Sequence, residues 1–317
     1  MKTNISVSDT DFIKLFTTET ARDVAKTLGI TERTVFKHRR RVEDRVGINI
    51  ESPRQFKQVI KNDYPHRAIY TIKEGIVIVG SDAHIWPGEL TTAQKGFIHF
   101  LKLYKKQISL VVLNGDVFDG AGISRFPSIG WEEKPTVKEE LSACKIFTNQ
   151  IEKAVPESEL IWTKGNHDLR FETYLANNTP DINGVLGTRL FDHFKKWKMA
   201  WSCWVNDDVV IKHRLKGGVH ATHNNTLSSG RTMVTGHLHS QKVTPYSDYN
   251  GTRWGVDCGT LADTEGEQFR NYTEDNPLNW RSGFAVLTFN DGKLLPPEIV
   301  QVWDKDSVTF RGKVYDV

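Results

Sequence analysis

The 317-residue sequence has little cysteine, little methionine and no long apolar run. Its three cysteines, Cys144, Cys203 and Cys258, are scattered and odd in number. Scatter and odd number fit a disulfide framework poorly, and none lies in a C-x-x-C pair, so a zinc finger has no support. Buried thiols in a reducing cytoplasm are the expectation. No stretch approaches the roughly 18 apolar residues that a membrane-spanning helix needs. The N-terminal MKTNISVSDT lacks the apolar core of a secretion signal. A cytoplasmic chain with no membrane partner is therefore expected. Internal repeats and low-complexity tracts are missing as well.

What charge there is sits unevenly. The net formal charge is +3, and residues 1–50 hold ten Lys/Arg against seven Asp/Glu. The whole surplus belongs to that segment, and the remainder is balanced. Such asymmetry points to a partner that carries phosphates.

Three short helices are predicted in residues 1–50. Asp11 to Phe16 groups Phe12, Ile13 and Phe16 on one face. Thr20 to Leu28 carries Val24, Ala25 and Leu28 at core spacing. Gly29 suits a left-handed helix end, and Thr31 can cap a third helix. That helix points Val35 inward and Arg33, Lys37, Arg39, Arg40 and Arg41 outward. Small Ala25, turn Gly29 and apolar Val35 stand as in a helix-turn-helix, which this segment resembles. The resemblance implies a third helix in the major groove of DNA, with Arg33 and Thr34 near base edges. Lys37 would lie on the same face, and Arg39, Arg40 and Arg41 would contact phosphates. The alternative is a helical packing or homodimerisation module with a solvated basic face.

Residues 51–69 are polar and punctuated by Pro53 and Pro65, and are read as a linker. A second domain, 70–317, opens with the apolar run Ile76 to Val79. Gly80 breaks that run, and Asp82 and His84 follow it. The pattern recurs. Ser109 to Leu113 leads to Gly115-Asp116 and Asp119, and Leu160 to Thr163 leads to Gly165-Asn166-His167-Asp168. Val209 to His213 reads as a strand, and His220 follows the Gly217-Gly218 pair. Met233 to Thr235 leads to Gly236-His237-Leu238-His239. Polar residues at the C-terminal ends of buried strands are where α/β folds place ligands. Carboxylates, imidazoles and one amide, with no thiolate, suit divalent ions such as Mn²⁺, Fe²⁺, Zn²⁺ or Ni²⁺. Two such ions would lower the pKa of a bridging water and neutralise phosphate oxygens.

These five blocks, in this order, resemble the calcineurin-like metallophosphoesterase superfamily. The resemblance implies two mixed β-sheets packed as a sandwich between helices, an α/β fold. It implies two metal ions, Mn²⁺ first among them. One would be held by Asp82, His84, Asp116 and His239, and the other by Asp116, Asn166, His220 and His237. His167 becomes the general acid, with Asp168 orienting it. Asp119 is placed outside the ligand set, and His213 and His223 match no block and are taken as surface or supporting residues. Serine/threonine phosphatases of the superfamily carry an arginine where Gly120 stands, so that activity is disfavoured. Gly115-Asp116-Val117-Phe118-Asp119 with Gly165-Asn166-His167-Asp168 is more similar to its DNA repair nucleases and phosphodiesterases. A phosphodiesterase acting on DNA is expected. Alternatives are an enzyme for small nucleotides or a DNA-binding regulator with a non-catalytic phosphoesterase fold. The pairing of a small DNA-binding-like module with such an enzyme also suits a bacteriophage gene.

Overall fold

The computed structural model of the chain describes residues 7–50, 64–274 and 276–317. It divides into two compact units, 1–63 and 64–317.

In the first unit, helices α1 (Asp9–Thr18), α2 (Ala21–Thr27) and α3 (Glu32–Val46) are each capped by a hydroxyl. Ser8, Thr20 and Thr31 accept a backbone N–H from the first turn of their helices. That satisfies a donor the helix cannot satisfy itself. Gly29 and Gly47 take left-handed φ of 64° and 72° and end α2 and α3. Phe12, Phe16, Val24, Ala25, Val35, Val42 and Ile50 form one small core. Arg33, Lys37, Arg40 and Arg41 are exposed on α3. Arg39 departs from the expected outward orientation. It pairs with Glu43 at 3.1 Å, and its guanidinium lies 5.5 Å over the Phe16 ring. A long apolar stem gains by packing over an aromatic ring at the edge of the core while its charged head pairs with a carboxylate.

The second unit begins earlier than expected. Tyr64 is buried, and β1 (Ala68–Tyr70) pairs in parallel with β6 (Cys203–Val205). The linker reading over 51–69 is therefore corrected for residues 64–69. Residues 51–63 lie outside the described residues.

The chain then builds β2 (Gly75–Gly80), α4 (Thr92–Leu103), β3 (Ile108–Asn114), α5 (Val137–Ala154), β4 (Glu159–Thr163), α6 (Asp168–Asn178) and β5 (Lys198–Ala200). After β6 come β7 (Val209–Ile211), α7 (Ala221–Ser229), β8 (Thr232–Thr235), β9 (Lys242–Asp248), β10 (Gly251–Asp257) and α8 (Glu267–Thr273). The strands β11 (Gly283–Asn290), β12 (Lys293–Leu294), β13 (Glu298–Asp304), β14 (Ser307–Phe310) and β15 (Lys313–Asp316) close the unit. One six-stranded sheet runs β1-β6-β7-β8-β10-β9. A nine-stranded sheet runs β15-β14-β13-β11-β2-β3-β4-β5, with β12 on β11.

Both sheets are mixed, and they pack face to face as the resemblance implied. Val77 and Val79 of β2 and Leu110 and Val112 of β3 meet Val205, Ile211, Val234 and Val256 of the other sheet. The alternate residues Ile78, Val111 and Leu113 face outward onto Phe97, Phe100 and Phe147 of α4 and α5. Period-two alternation with both faces apolar explains the unbroken apolar runs in the sequence. Strands β2, β3, β4 and β5 are parallel neighbours, as are β7 and β8. Their C-terminal ends form one rim, and the polar motifs leave from it. No helix among the described residues is long and apolar enough to cross a membrane.

Candidate metal centre

The ends of β2 and β3 stay joined past the sheet. The N–H groups of Asp82, His84 and Ile85 donate to the carbonyls of Gly115, Asp116 and Val117 at 2.9–3.0 Å. Asp82, His84 and Asp116 take left-handed φ of 53°, 39° and 51° there, and His237 and His239 take 71° and 54° after β8. Left-handed non-glycine residues are uncommon, and each costs about 1–3 kcal/mol. Five at one rim mean that the surrounding hydrogen bonds hold a conformation these side chains would not choose. The result turns carboxylates and imidazoles toward one another.

Three groups of ligand atoms arise among the described residues, each within 4.8 Å of one another. Asp82, His84 and His239 form a first cluster and Asp116, His213 and His237 a second, while Asp119 and His167 group around the His84 of the first. The His239 Nε2 lies 3.1 Å from Asp82 Oδ1, and the His213 Nε2 lies 3.1 Å from Asp116 Oδ2. The Nδ1 of His213 donates to the Asn114 carbonyl at 2.9 Å, which frees Nε2 as a lone-pair donor.

The motif glycines are space requirements. A methyl group at Gly165 would collide with the Asp116 carboxylate, and one at Gly236 with Ser81 and the Asp82 carboxylate. At Gly115 it would strike the His213 ring.

Asp119 organises the rim. Its Oδ1 accepts from His167 Nδ1 at 2.6 Å and His84 Nδ1 at 3.1 Å, and its Oδ2 from Trp86 at 2.8 Å. An ionised carboxylate only accepts, so both rings carry the proton on Nδ1 and present Nε2 inward. Arg170, one turn after His167, donates to the Asp119 carbonyl at 3.0 Å and lies 3.1 Å from His167 Nε2. Its side chain fills the space beside Gly120 that a larger residue there would need.

Three expectations are corrected. His220 is exposed at the start of α7 and joins neither cluster. His213 is buried in the second cluster instead. Asp168 does not touch His167. It is buried and accepts the backbone N–H groups of Asp116, Val117, Phe118 and Gly165 and the Trp162 indole. Its work is to hold the two turns together, and Asp119 is the carboxylate that orients His167. The structure brings Asp82, His84, Asp116, His237 and His239 together in the clusters. The His167 N–H donates to Asp116 Oδ1 at 2.7 Å, which sets His167 and its neighbour Asn166 beside them. A signal for His213 existed, since it follows β7 as directly as the other site residues follow their strands. Arg170 carried none beyond its spacing of three from His167 on a helix.

The electrostatics favour cations. Burial would raise the pKa of Asp82, but His213 and then His239 overcome it and hold the carboxyl well below the usual range. Asp116 and Asp119 are likewise lowered against burial by neighbouring imidazoles. Burial would lower His84, but Asp119 and Asp82 raise it to about 10. Against burial again, Asp116 and Asp82 raise His213 to about 9. Three buried carboxylates at one point demand positive charge. The buried His84 Nε2, Asn166 Oδ1, His213 Nε2 and His239 Nδ1 have no hydrogen-bond partner among the described residues. Buried polar atoms are rarely left so. Atoms with lone pairs, next to carboxylates, are what divalent ions require, so the residues fit a metal centre.

Comparison with known proteins agrees with that chemistry. The profile of the calcineurin-like phosphoesterase family matches residues 77–241, just over half of the chain. The chain belongs to the calcineurin-like phosphoesterase family. The match spans every residue of both clusters, from Asp82 to His239. The family's activity is metal-dependent phosphoester hydrolysis at a dinuclear centre, and the two clusters are the candidates for it. Among curated relatives, the gene 54 protein of Mycobacterium phage L5 is 27% identical over 234 residues, covering 65% of this chain and 86% of its own. The gene 54 protein of Mycobacterium phage D29 is 26% identical over 219 residues, covering 61% and 81%. Among solved structures, Vps29 of Entamoeba histolytica complexed with zinc superposes at a TM-score of 0.39 with 15% identity, over 76% of this chain and 96% of that one. Vps29 of Chaetomium thermophilum gives 0.41 and 11%, over 77% and 97%.

Proposed function

We propose that the chain is a phosphodiesterase that cleaves DNA at a two-metal centre. One site comprises Asp82, His84, Asp116 and His239, and the other Asp116, Asn166, His213 and His237. The observation that carries this reading is the set of buried, unpartnered lone-pair atoms around Asp82 and Asp116. Divalent ions bound there, Mn²⁺ first, would act as Lewis acids on phosphate oxygens and activate water near neutral pH.

The chain's own residues do the rest. Asp119 holds His167 by Nδ1 and stabilises the ring when it is charged. As the imidazolium, His167 gives its Nε2 proton to the departing alkoxide and returns to the neutral ring with Nδ1–H on Asp119, a contribution of about 10²–10⁴ in rate. Arg170 sets a guanidinium beside that nitrogen, where it can take a phosphate oxygen. It supplies from α6 the positive charge that Gly120 cannot. The exposed Arg33, Lys37, Arg40 and Arg41 of α3 support a DNA substrate, because tethering a basic helix raises the local concentration of DNA.

The test is hydrolysis of single-stranded and duplex DNA, bis(p-nitrophenyl) phosphate and p-nitrophenyl phosphate with added Mn²⁺. DNA and the diester are expected to be cleaved and the monoester spared. Asp82→Asn should abolish both reactions and lower bound metal, and His167→Ala should keep metal and lose most turnover. Cleavage of the monoester alone, or undiminished turnover in Asp82→Asn, overturns the reading.

A further inference from the structure

Beside the second cluster lies an open cleft of about 500 Å³ that Asn166 and His237 help to line. Its lining also includes Trp201, Lys212, Arg214 and Lys216. The three cations come from one segment, the loop between β7 and α7. His213 stands inside that loop and is turned the opposite way, into the cluster. Arg214 and Lys216 are exposed, and no carboxylate of the described residues forms an ion pair with them or with Lys212. Lys164, also in the lining, is different. It is buried, sits 3.7 Å from Glu172 and is spoken for. Unpaired positive charge in the lining of a cleft attracts anions. The partly buried Trp201 in the same lining brings an indole, a side chain on which a base can stack.

We infer that this cleft is a subsite for the nucleotide next to the scissile bond, holding its phosphate on Arg214 and Lys216 and its base against Trp201. The inference rests on the phosphodiesterase reading and sharpens it: the substrate is a strand with at least two consecutive phosphates, not an isolated diester. A strand whose scissile phosphate lies at Asp116 must continue away from the centre, and this cleft joins Asn166 and His237 to cations that form no ion pair among the described residues. Lys212 is left out of the test because its carbonyl receives the Asn114 amide and its neighbour is His213.

The experiment compares d(TpT), which has one phosphate, with d(TpTpT), which has two, in the full chain with Mn²⁺. Wild type should use the trinucleotide with kcat/KM about tenfold above the dinucleotide, mostly through KM. Arg214→Ala/Lys216→Ala should bring that ratio close to one, and Arg214→Lys/Lys216→Arg should keep most of it. Equal use of the two by wild type, or a preference that survives in the alanine pair, overturns the subsite. If wild type hydrolyses neither these nor bis(p-nitrophenyl) phosphate, it is the phosphodiesterase reading that has failed. The cleft is then judged by calorimetric binding of d(TpTpT) to chelator-treated protein, where equal affinity of wild type and the alanine pair overturns it.

Discussion

His213 and His220 have the same side chain and lie in the same loop, but only one is in a position to act. His213 follows β7, donates its Nδ1 proton to the Asn114 carbonyl and aims Nε2 at Asp116. His220 begins α7 with its ring in solvent. The difference is a test. Removing a group that acts as a unit with its neighbours costs most of the activity. His213→Ala should lower diester turnover by about 10²-fold or more and reduce bound metal, since a metal ligand and its support act together. His220→Ala should stay within about twofold of wild type, as a surface change does. Turnover and metal content of the two variants, measured side by side, decide it. The reverse pattern would restore the assignment that the residue order alone suggested.

At the scale of elements, α5 does more than cover the sheet. Its Glu140 is fully buried and accepts the N–H groups of Gly120 and Ala121 at 3.1 and 2.9 Å. That bond pair anchors the loop that begins at Asp119, the residue that orients His84 and His167. Burial pushes the Glu140 carboxyl up to about 8, and the two N–H groups only partly oppose it. The folded chain thus binds a proton that the unfolded chain has released above its ordinary value of 4.5. Where the native state binds more protons, stability falls as pH rises. The wild-type contribution is therefore fullest below the unfolded value and is lost as pH climbs to about 8. Glu140→Gln cannot titrate, and its NH₂ must face one of the two backbone donors, at a cost of about 1–3 kcal/mol. Urea unfolding should show the variant less stable at pH 5, with the gap narrowing toward pH 8. A gap that widens across that range would remove this account of Glu140.

For the molecule as a whole, the two units divide the electrostatic work. The three-helix unit carries the chain's surplus of positive charge, and the phosphoesterase unit carries a focused cluster of carboxylates and imidazoles. If α3 binds DNA through phosphates, affinity for duplex DNA must fall steeply with salt. In Arg33→Ala/Lys37→Ala/Arg40→Ala the slope of log K against log salt should flatten by about 0.9 for each phosphate that is no longer neutralised. Fluorescence anisotropy of a labelled duplex at several salt concentrations measures it. An unchanged slope would assign α3 to packing or self-association. Arg39 is left intact because its contacts with Glu43 and Phe16 make it part of the fold.

The sequence by itself determined the family, the mixed α/β sandwich and most of the centre. Apolar runs that end in glycine followed by Asp, Asn or His specify both a buried strand and what leaves its end. Asp82, His84, Asp116, Asn166, His237 and His239 were all legible in that way, because each lies within a few residues of a strand terminus. The capped helices of the first unit were legible too, since Thr31 and Gly29 act on backbone only a turn away. What the tertiary structure decided was every role set by distant packing. Whether His213 or His220 reaches Asp116 depends on β7 lying beside β8 and on Gly115 yielding room for a ring. Whether Asp119 or Asp168 orients His167 depends on which carboxylate the turns of β3 and β4 bury between them. Arg170, Glu140 and the basic cleft beside Asn166 follow from contacts between elements far apart in the chain, and local spacing holds no record of those.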